Sequence, residues 1–280
     1  MTIAIFLPVQ AIFTVDAVWF SLLIKVAVTA ITVIAAAIAA EKSGPFWGGL
    51  VIGLPTSAGP AYVMLAIEYD DAFLAISALN SLAGNTGAVV FLVILTYAAP
   101  RLSVVSTLAL ATGVWLVIAW GVGQVIWTVP WAVLINVIVL AVALWLTRDI
   151  PPGPRTGRAL ARRWYDLPMR GLVVGVFVAV VVTLGQVIGP QATGIVSVYP
   201  ITLTSLVMIA MPRLGGQTTA ATMASIVRSM IGFSAGFLLI SMSIQAWGAA
   251  LSLSAALLVM IGWAGLRLAH RWFEQRRSTI

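Results

Sequence analysis

Two cations stand inside hydrophobic runs of this chain, Arg228 and Lys25. Arg228 falls near the middle of an apolar run beginning at residue 216, roughly 18 Å along a helix that rises ~1.5 Å per residue. An ionised side chain at such depth costs about 2.5–3.5 kcal/mol on insertion scales and needs a partner or a wet cavity. Lys25 lies closer to a run end, and its stem is long enough to snorkel. No carboxylate stands at comparable depth, because Asp16 and Glu68 fall at run boundaries. Two cations without a buried anion point to an anionic ligand, held by Arg228 and helix N-terminal amides. The competing reading has Arg228 bonding carbonyls freed by Pro55 or Pro200.

Those prolines are the second chemical feature. Pro55, Gly59 and Pro60 interrupt an apolar run, with Thr56 and Ser57 between them; Pro200, followed by Thr202, Thr204 and Ser205, interrupts another. Proline removes a backbone donor and frees carbonyls in the preceding turn. Irregular backbone at membrane depth is tolerated only against protein or a water-lined cavity, and paired breaks in two halves mark the binding site of many carriers. A plain kink, its carbonyls satisfied by neighbouring hydroxyls, is the alternative. Asn80, Asn85, Thr86, Ser225 and Gln217 to Thr219 are expected to complete a polar cavity.

Composition excludes other chemistry. The 280 residues are 61% hydrophobic and 8% charged, with no cysteine and one histidine, His270 in the basic tail. Thiolate metal sites, disulfides and cysteine nucleophiles are absent, and a Ser-His-Asp triad has no histidine within the apolar runs. No GxxxxGK[ST] phosphate loop occurs, so ATP coupling has no support. The chain is therefore expected not to be an enzyme and to need no cofactor or metal. A formal charge of +7 would suit nucleic acid, but the cations sit in loops between hydrophobic segments, where membrane orientation explains them.

The elements that must carry these residues are helices. A soluble domain carries about 25% charge, so the chain reads as an all-α integral membrane protein. Apolar runs of about 20 residues place spans near 16–40, 46–68, 71–98, 102–122, 130–147, 170–189, 194–211, 216–244 and 247–269: nine, or ten if residues 1–15 add a segment. Those first residues lack a basic leader and contain Pro8, so they read as an interfacial lead-in. If the spans alternate, every Lys and Arg except Lys25 and Arg228 falls on one side, and Glu68, Asp70 and Asp71 fall on the other. The amino terminus is then outside and the carboxy terminus cytoplasmic, in the inner membrane. Residues 1–148 make a first repeat plus one extra span. Residues 149–167, with PPGP and Arg155, Arg158, Arg162 and Arg163, make a cytoplasmic linker able to rest on anionic headgroups. Residues 168–280 make the second repeat and a basic tail.

The repeat emerges on sliding the chain by 145 residues, which lays Gly49 on Gly194, Val51 on Val196, Pro55 on Pro200, Ser77 on Thr222, Asn80 on Ser225, Gly84 on Ser229 and Gly87 on Gly232. These small-polar positions step by three and four, one face of a helix, which suits close helix packing as well as a site. An odd number of spans precedes the second unit, so the two repeats are expected to be inverted.

The segment GGLVIGLPTS, Gly48 to Ser57, resembles the GGLxxGLPST-type segment of GlpM-like small membrane proteins of bacteria and archaea. The second half is similar through Gly194, Pro200 and Thr202 but lacks the Pro-Thr pair. The resemblance covers about fifty residues in each half and implies architecture rather than activity: a fused pair of units that elsewhere occur singly.

Together these residues predict a secondary carrier or facilitator for a small anionic or zwitterionic solute, bound between inverted repeats. The alternative is a non-transporting scaffold or lipid-binding subunit whose small-residue stripes recruit partner helices or a second copy of the chain.

Overall fold

The computed structural model describes residues 58–150 and 166–277, with parts of the stretch 23–35. These residues form helices and turns, with no strand among them. From residue 58 onward the helices are α1 (Ala58–Glu68), α2 (Asp71–Ala98), α3 (Val104–Gly123), α4 (Val129–Thr147), α5 (Asp166–Ser197), α6 (Ile201–Val227) and α7 (Met230–Arg277). Five helical stretches among the described residues are long and apolar enough to cross a membrane: Asp71–Ala98, Val104–Gly123, Val129–Thr147, Pro168–Ser197 and Ile201–His270. Most of the linker expected at 149–167 lies outside the described residues.

Local chemistry sets the starts. The Asp70 carboxylate accepts from the Phe73 amide at 2.8 Å and opens α2, and Ser103 caps α3 through the Ser106 amide at 3.2 Å. Such caps satisfy amides that have no partner within the helix. Thr128 precedes α4, with Pro130 in the first turn, where its missing N–H costs nothing.

Three glycines fold the long helices back on themselves. Gly189, Gly215 and Gly248 have φ of 76°, 81° and 74°, with ψ of 171°, 163° and 167°. That region is closed to residues carrying a Cβ. Contacts across two of them are those of an antiparallel hairpin: Ser243 bonds Ser252 at 2.9 Å across Gly248, and Gly185 faces Thr193 across Gly189. The rods are therefore 166–188, 190–197, 201–214, 216–247 and 249–277, where 216–247 includes a tight turn at Arg228–Ser229.

α2 is the hub. It is 78% buried over its most apolar window, against 17% for α3 and 22% for α4. α2 carries the buried polar side chains Ser77, Asn80, Ser81, Asn85 and Thr86, whereas the more apolar α3 and α4 present Val105, Trp120, Trp131 and Trp145 outward. One core cluster joins α1 and the first half of α2 to Val174, Val178, Phe237 and Ile244; the other joins the second half of α2 to Trp115, Val207, Met223 and Met230.

Rods 190–197 and 201–214 run end to end beside α2 and in the same direction. Ser77 bonds the Pro190 carbonyl, Ser81 the Gly194 carbonyl, Tyr199 packs on Phe91, and the backbone at Gly216 meets Ala99. They form one span interrupted at 198–200. The expected helix 194–211 thus starts earlier, at the Gly189-Pro190 turn, and is cut where Pro200 stands. The rod 216–247 then returns antiparallel to α2, with Asn85 bonded to Ser234 at 3.0 Å and Asp71 near Gly248.

Candidate functional site: a broken helix, a polar crossing and a slipped turn

The break at 198–200 is built from local hydrogen-bonding losses. The Tyr199 amide bonds the Val196 carbonyl and the Ile201 amide bonds the Tyr199 carbonyl, both in short turns. Pro200 precedes α6 with no side-chain cap. The first regular bond is Thr204 N–H to the Pro200 carbonyl at 2.9 Å. The hydroxyl of Thr202 is buried with no hydrogen-bond partner. Thr204 and Ser205 bond back to the Pro200 and Thr202 carbonyls at 3.1 and 2.8 Å. Around the break the Tyr199 ring meets Trp115 edge-on at 4.8 Å and Phe177 at 5.9 Å, and its hydroxyl reaches Thr112 at 3.0 Å.

A chain of hydroxyls ties α1 to this broken span. Tyr62 and Ser81 are 2.7 Å apart, Ser81 donates to the Gly194 carbonyl at 2.7 Å, and Ser197 donates to the same carbonyl at 2.8 Å. All three side chains are buried, so each bond avoids the cost of an unpaired polar group. The contact is close because Gly194 has no side chain: a Cβ there would collide with the Ser77 carbonyl.

Where α2, α4 and the rod 216–247 cross, three side chains share one network. Asn85 donates to Ser234, Ser234 lies 2.5 Å from the Asn136 oxygen, and the Asn136 amide donates to the Leu82 carbonyl. Asn136 and Ser234 were not among the residues the sequence singled out. A lone amide in an apolar span was the available signal.

Arg228 is half-buried, and its guanidinium makes no hydrogen bond or ion pair among the described residues. The rod 216–247 is antiparallel to α2, with Gly216 against Ala99 and Ser234 against Asn85. That places Arg228 near the level of Val89 to Phe91, the level of the Tyr199–Pro200 break. The backbone beside Arg228 has slipped register. The Ser229 amide bonds the Ile226 carbonyl at 2.8 Å and the Gly232 amide bonds the Ser229 carbonyl at 3.1 Å, so both use the third residue back rather than the fourth. The carbonyls of Ser225 and Arg228 lose their usual partners. Side chains of α7 replace them: Arg267 donates to Ser225 at 2.9 Å and to the Ser229 hydroxyl, and Trp263 Nε1 donates to Arg228 at 2.9 Å. The sequence placed Arg267 among orientation signals and gave Trp263 no role.

The other expected residues are distributed as follows. Lys25, Pro55, Thr56 and Ser57 lie outside the described residues. Pro60 sits in the first turn of α1, a position where proline is accommodated. Asn80 is buried but donates to its own helix at Ile76, Thr86 to Ala83, and Ser225 to Thr222. Gln217 is exposed at a helix start and Thr219 bonds the Gly215 carbonyl. Gly216 abuts Ala99, so Gln217 to Thr219 stand about 25 Å along α2 from Asn80 at ~1.5 Å per residue. The polar cavity expected from all of these is not assembled: Asn85 joins the crossing, while Asn80, Thr86 and Gln217 to Thr219 do not.

No family model, curated protein or solved structure matches this chain.

Proposed function

We propose that the chain is a multi-pass carrier or facilitator of the cytoplasmic membrane, moving a small anionic or zwitterionic solute. In this reading it has nine spans in two inverted units, the amino terminus outside and the carboxy terminus in the cytoplasm. It is not an enzyme. The resemblance to GlpM-like proteins enters the same proposal, as a fused pair of such units.

Inversion is supported by reciprocal contacts at the 145-residue offset. Gly175 meets Val26 and Ala30, and Gly171 meets Ala30; positions 26 and 30 correspond to 171 and 175. At the crossing, Asn85 bonds Ser234 while their counterparts Met230 and Val89 share a core cluster. Each unit also packs its own helices alike: Gly87 meets Ile118 and Gly232 meets Trp263, again pairs 145 apart. A two-fold relation between antiparallel halves produces this pattern.

The observation that carries the carrier reading is the uncapped start of the helix after Pro200, with the buried, unpartnered Thr202 hydroxyl, at the level of the unpartnered Arg228 guanidinium. Helix N-terminal amides and a guanidinium both attract anions. The test is uptake into proteoliposomes across a panel of small carboxylates and phosphate. Flux of at least one is expected and should fall at least tenfold in Arg228→Ala while that variant stays monodisperse. Unchanged flux in the variant removes Arg228 from the mechanism, and no flux across the panel sinks the anion reading. The scaffold reading is favoured by one observation, the apolar outer faces of α3 and α4, and predicts a stable co-purifying partner without flux.

A further inference from the structure

The slipped turn at Arg228–Ser229 has an unusual occupant. The carbonyls that lose their usual helical partners here include those of Ser225 and Arg228, and the Ser229 hydroxyl lies beside them. A neutral donor, Trp263 Nε1, is enough to satisfy Arg228. At Ser225 and Ser229 the chain instead uses the charged guanidinium of Arg267, which is half-buried among packed helices. An ionised group in such a place is costly unless its charge does something a neutral donor would not. The first half lacks every part of the arrangement: the positions 145 residues earlier are Asn80, Gly84, Ile118 and Val122, and α2 runs without a slip.

Carbonyls released from an unwound membrane helix, together with a hydroxyl, are the donor set that holds monovalent cations in carriers. Backbone carbonyls replace the hydration shell of an ion directly. We propose that Ser225 O, Ser229 Oγ and the adjoining Arg228 O form a monovalent-cation site, and that the Arg267 guanidinium fills it from within the chain as a tethered cation. The protein then carries its own ion and needs no sodium to hold this turn. The inference stands on the slipped turn alone, so its failure leaves the carrier reading untouched, and the reverse holds too.

The experiment is thermal unfolding of the full-length protein in detergent, in sodium chloride against choline chloride at equal ionic strength. The native protein should melt at the same temperature in both. Arg267→Ala should melt lower in choline and recover at least half of that loss in sodium. Adding Ser229→Ala to Arg267→Ala should abolish the recovery, and Arg267→Lys, which keeps a tethered charge, should be indifferent to the salt. If Arg267→Ala does not yield folded protein, Arg267→Gln is read in the same way. Equal melting of the neutral variant in both salts overturns the proposal. So does sodium stabilisation of the native protein, or recovery that survives loss of the Ser229 hydroxyl. Failure of both neutral variants to fold in sodium overturns it as well, because the ion should replace the missing charge.

Discussion

α2 and the rod 216–247 align with each other at the 145-residue offset, yet one is an uninterrupted helix and the other changes register in its middle. α2 carries small residues where it is approached: Gly84 faces Ile195 and Val198 of the broken span, and Gly87 faces Trp115 and Ile118. Its backbone bonds stay within the helix. In the rod 216–247 the residue at the place of Gly84 is Ser229, and the register slips there. What separates the two is the neighbouring helix. α3 offers Ile118 and Val122, which have nothing to donate, whereas α7 offers Trp263 and Arg267, which take the Arg228 and Ser225 carbonyls. A membrane helix can give up its own hydrogen bonds only where another element replaces them. One half therefore serves as a rigid post and the other contains a local turn whose shape depends on side chains from outside it.

The largest effect should come from the close approaches that make the two halves comparable at all. A Cβ at Gly194 would strike the Ser77 carbonyl, and one at Gly216 would strike the Ala99 carbonyl and Pro100. Both obstacles are backbone, so neither can rotate aside. Gly194→Ala and Gly216→Ala should each lose at least the ~1–3 kcal/mol typical of overpacking, seen as a large drop in melting temperature or loss of monodisperse protein. Gly113→Ala and Gly121→Ala meet nothing within 4 Å and should be neutral or gain about 0.5–1 kcal/mol from helix propensity. If Gly194→Ala and Gly216→Ala melt like those controls, α2 is not gripped by backbone at both ends.

Next comes the slipped turn. Trp263→Phe removes the donor to the part-buried Arg228 carbonyl, at a cost of about 1–3 kcal/mol. Ile118→Val, at the corresponding place in the first half, removes one methylene and no hydrogen bond, and should cost about 0.5–1.5 kcal/mol. Thermal melts of the two variants check the order. An Ile118→Val loss equal to or greater than that of Trp263→Phe would mean that the turn does not rely on the indole N–H.

Much of this arrangement was legible from residue types. The limits of α2 follow from the acidic pair Asp70 and Asp71 at one end and the turn before Arg101 at the other. The cut at Pro200 follows from the N–H donor that proline lacks. The reversal next to Gly189 follows from the break between the expected spans 170–189 and 194–211, and the structure moves the start of the second back to Pro190. The reach of Arg267 is not legible in the same way. A cation near the cytoplasmic end of a helix normally reports orientation, and only the fold shows its side chain reaching back to Ser225. The register slip leaves no mark in composition, because Ser229 and Gly232 are equally at home in a regular membrane helix.

The smallest expected effect tests the comparison at a single atom. Trp115 lies on α3 and Trp263 on α7, each packed on a glycine of the neighbouring long helix, Gly87 and Gly232. The two indoles differ in what their N–H finds. Trp263 Nε1 reaches the Arg228 carbonyl; Trp115 Nε1 is buried with no acceptor. A buried donor without a partner already detracts from stability, so deleting it recovers part of what the lost ring volume costs. Trp115→Phe should therefore shift stability by no more than about 1 kcal/mol, less than half the loss in Trp263→Phe. Both melts are measured on the same detergent-solubilised protein, with the same change of ring; the more buried Trp115 loses the more packing, which works against the expected order. Equal losses would show that Trp115 Nε1 finds an acceptor in solution, and the distinction between a rigid half and a slipped half would then have to rest on Arg267 alone.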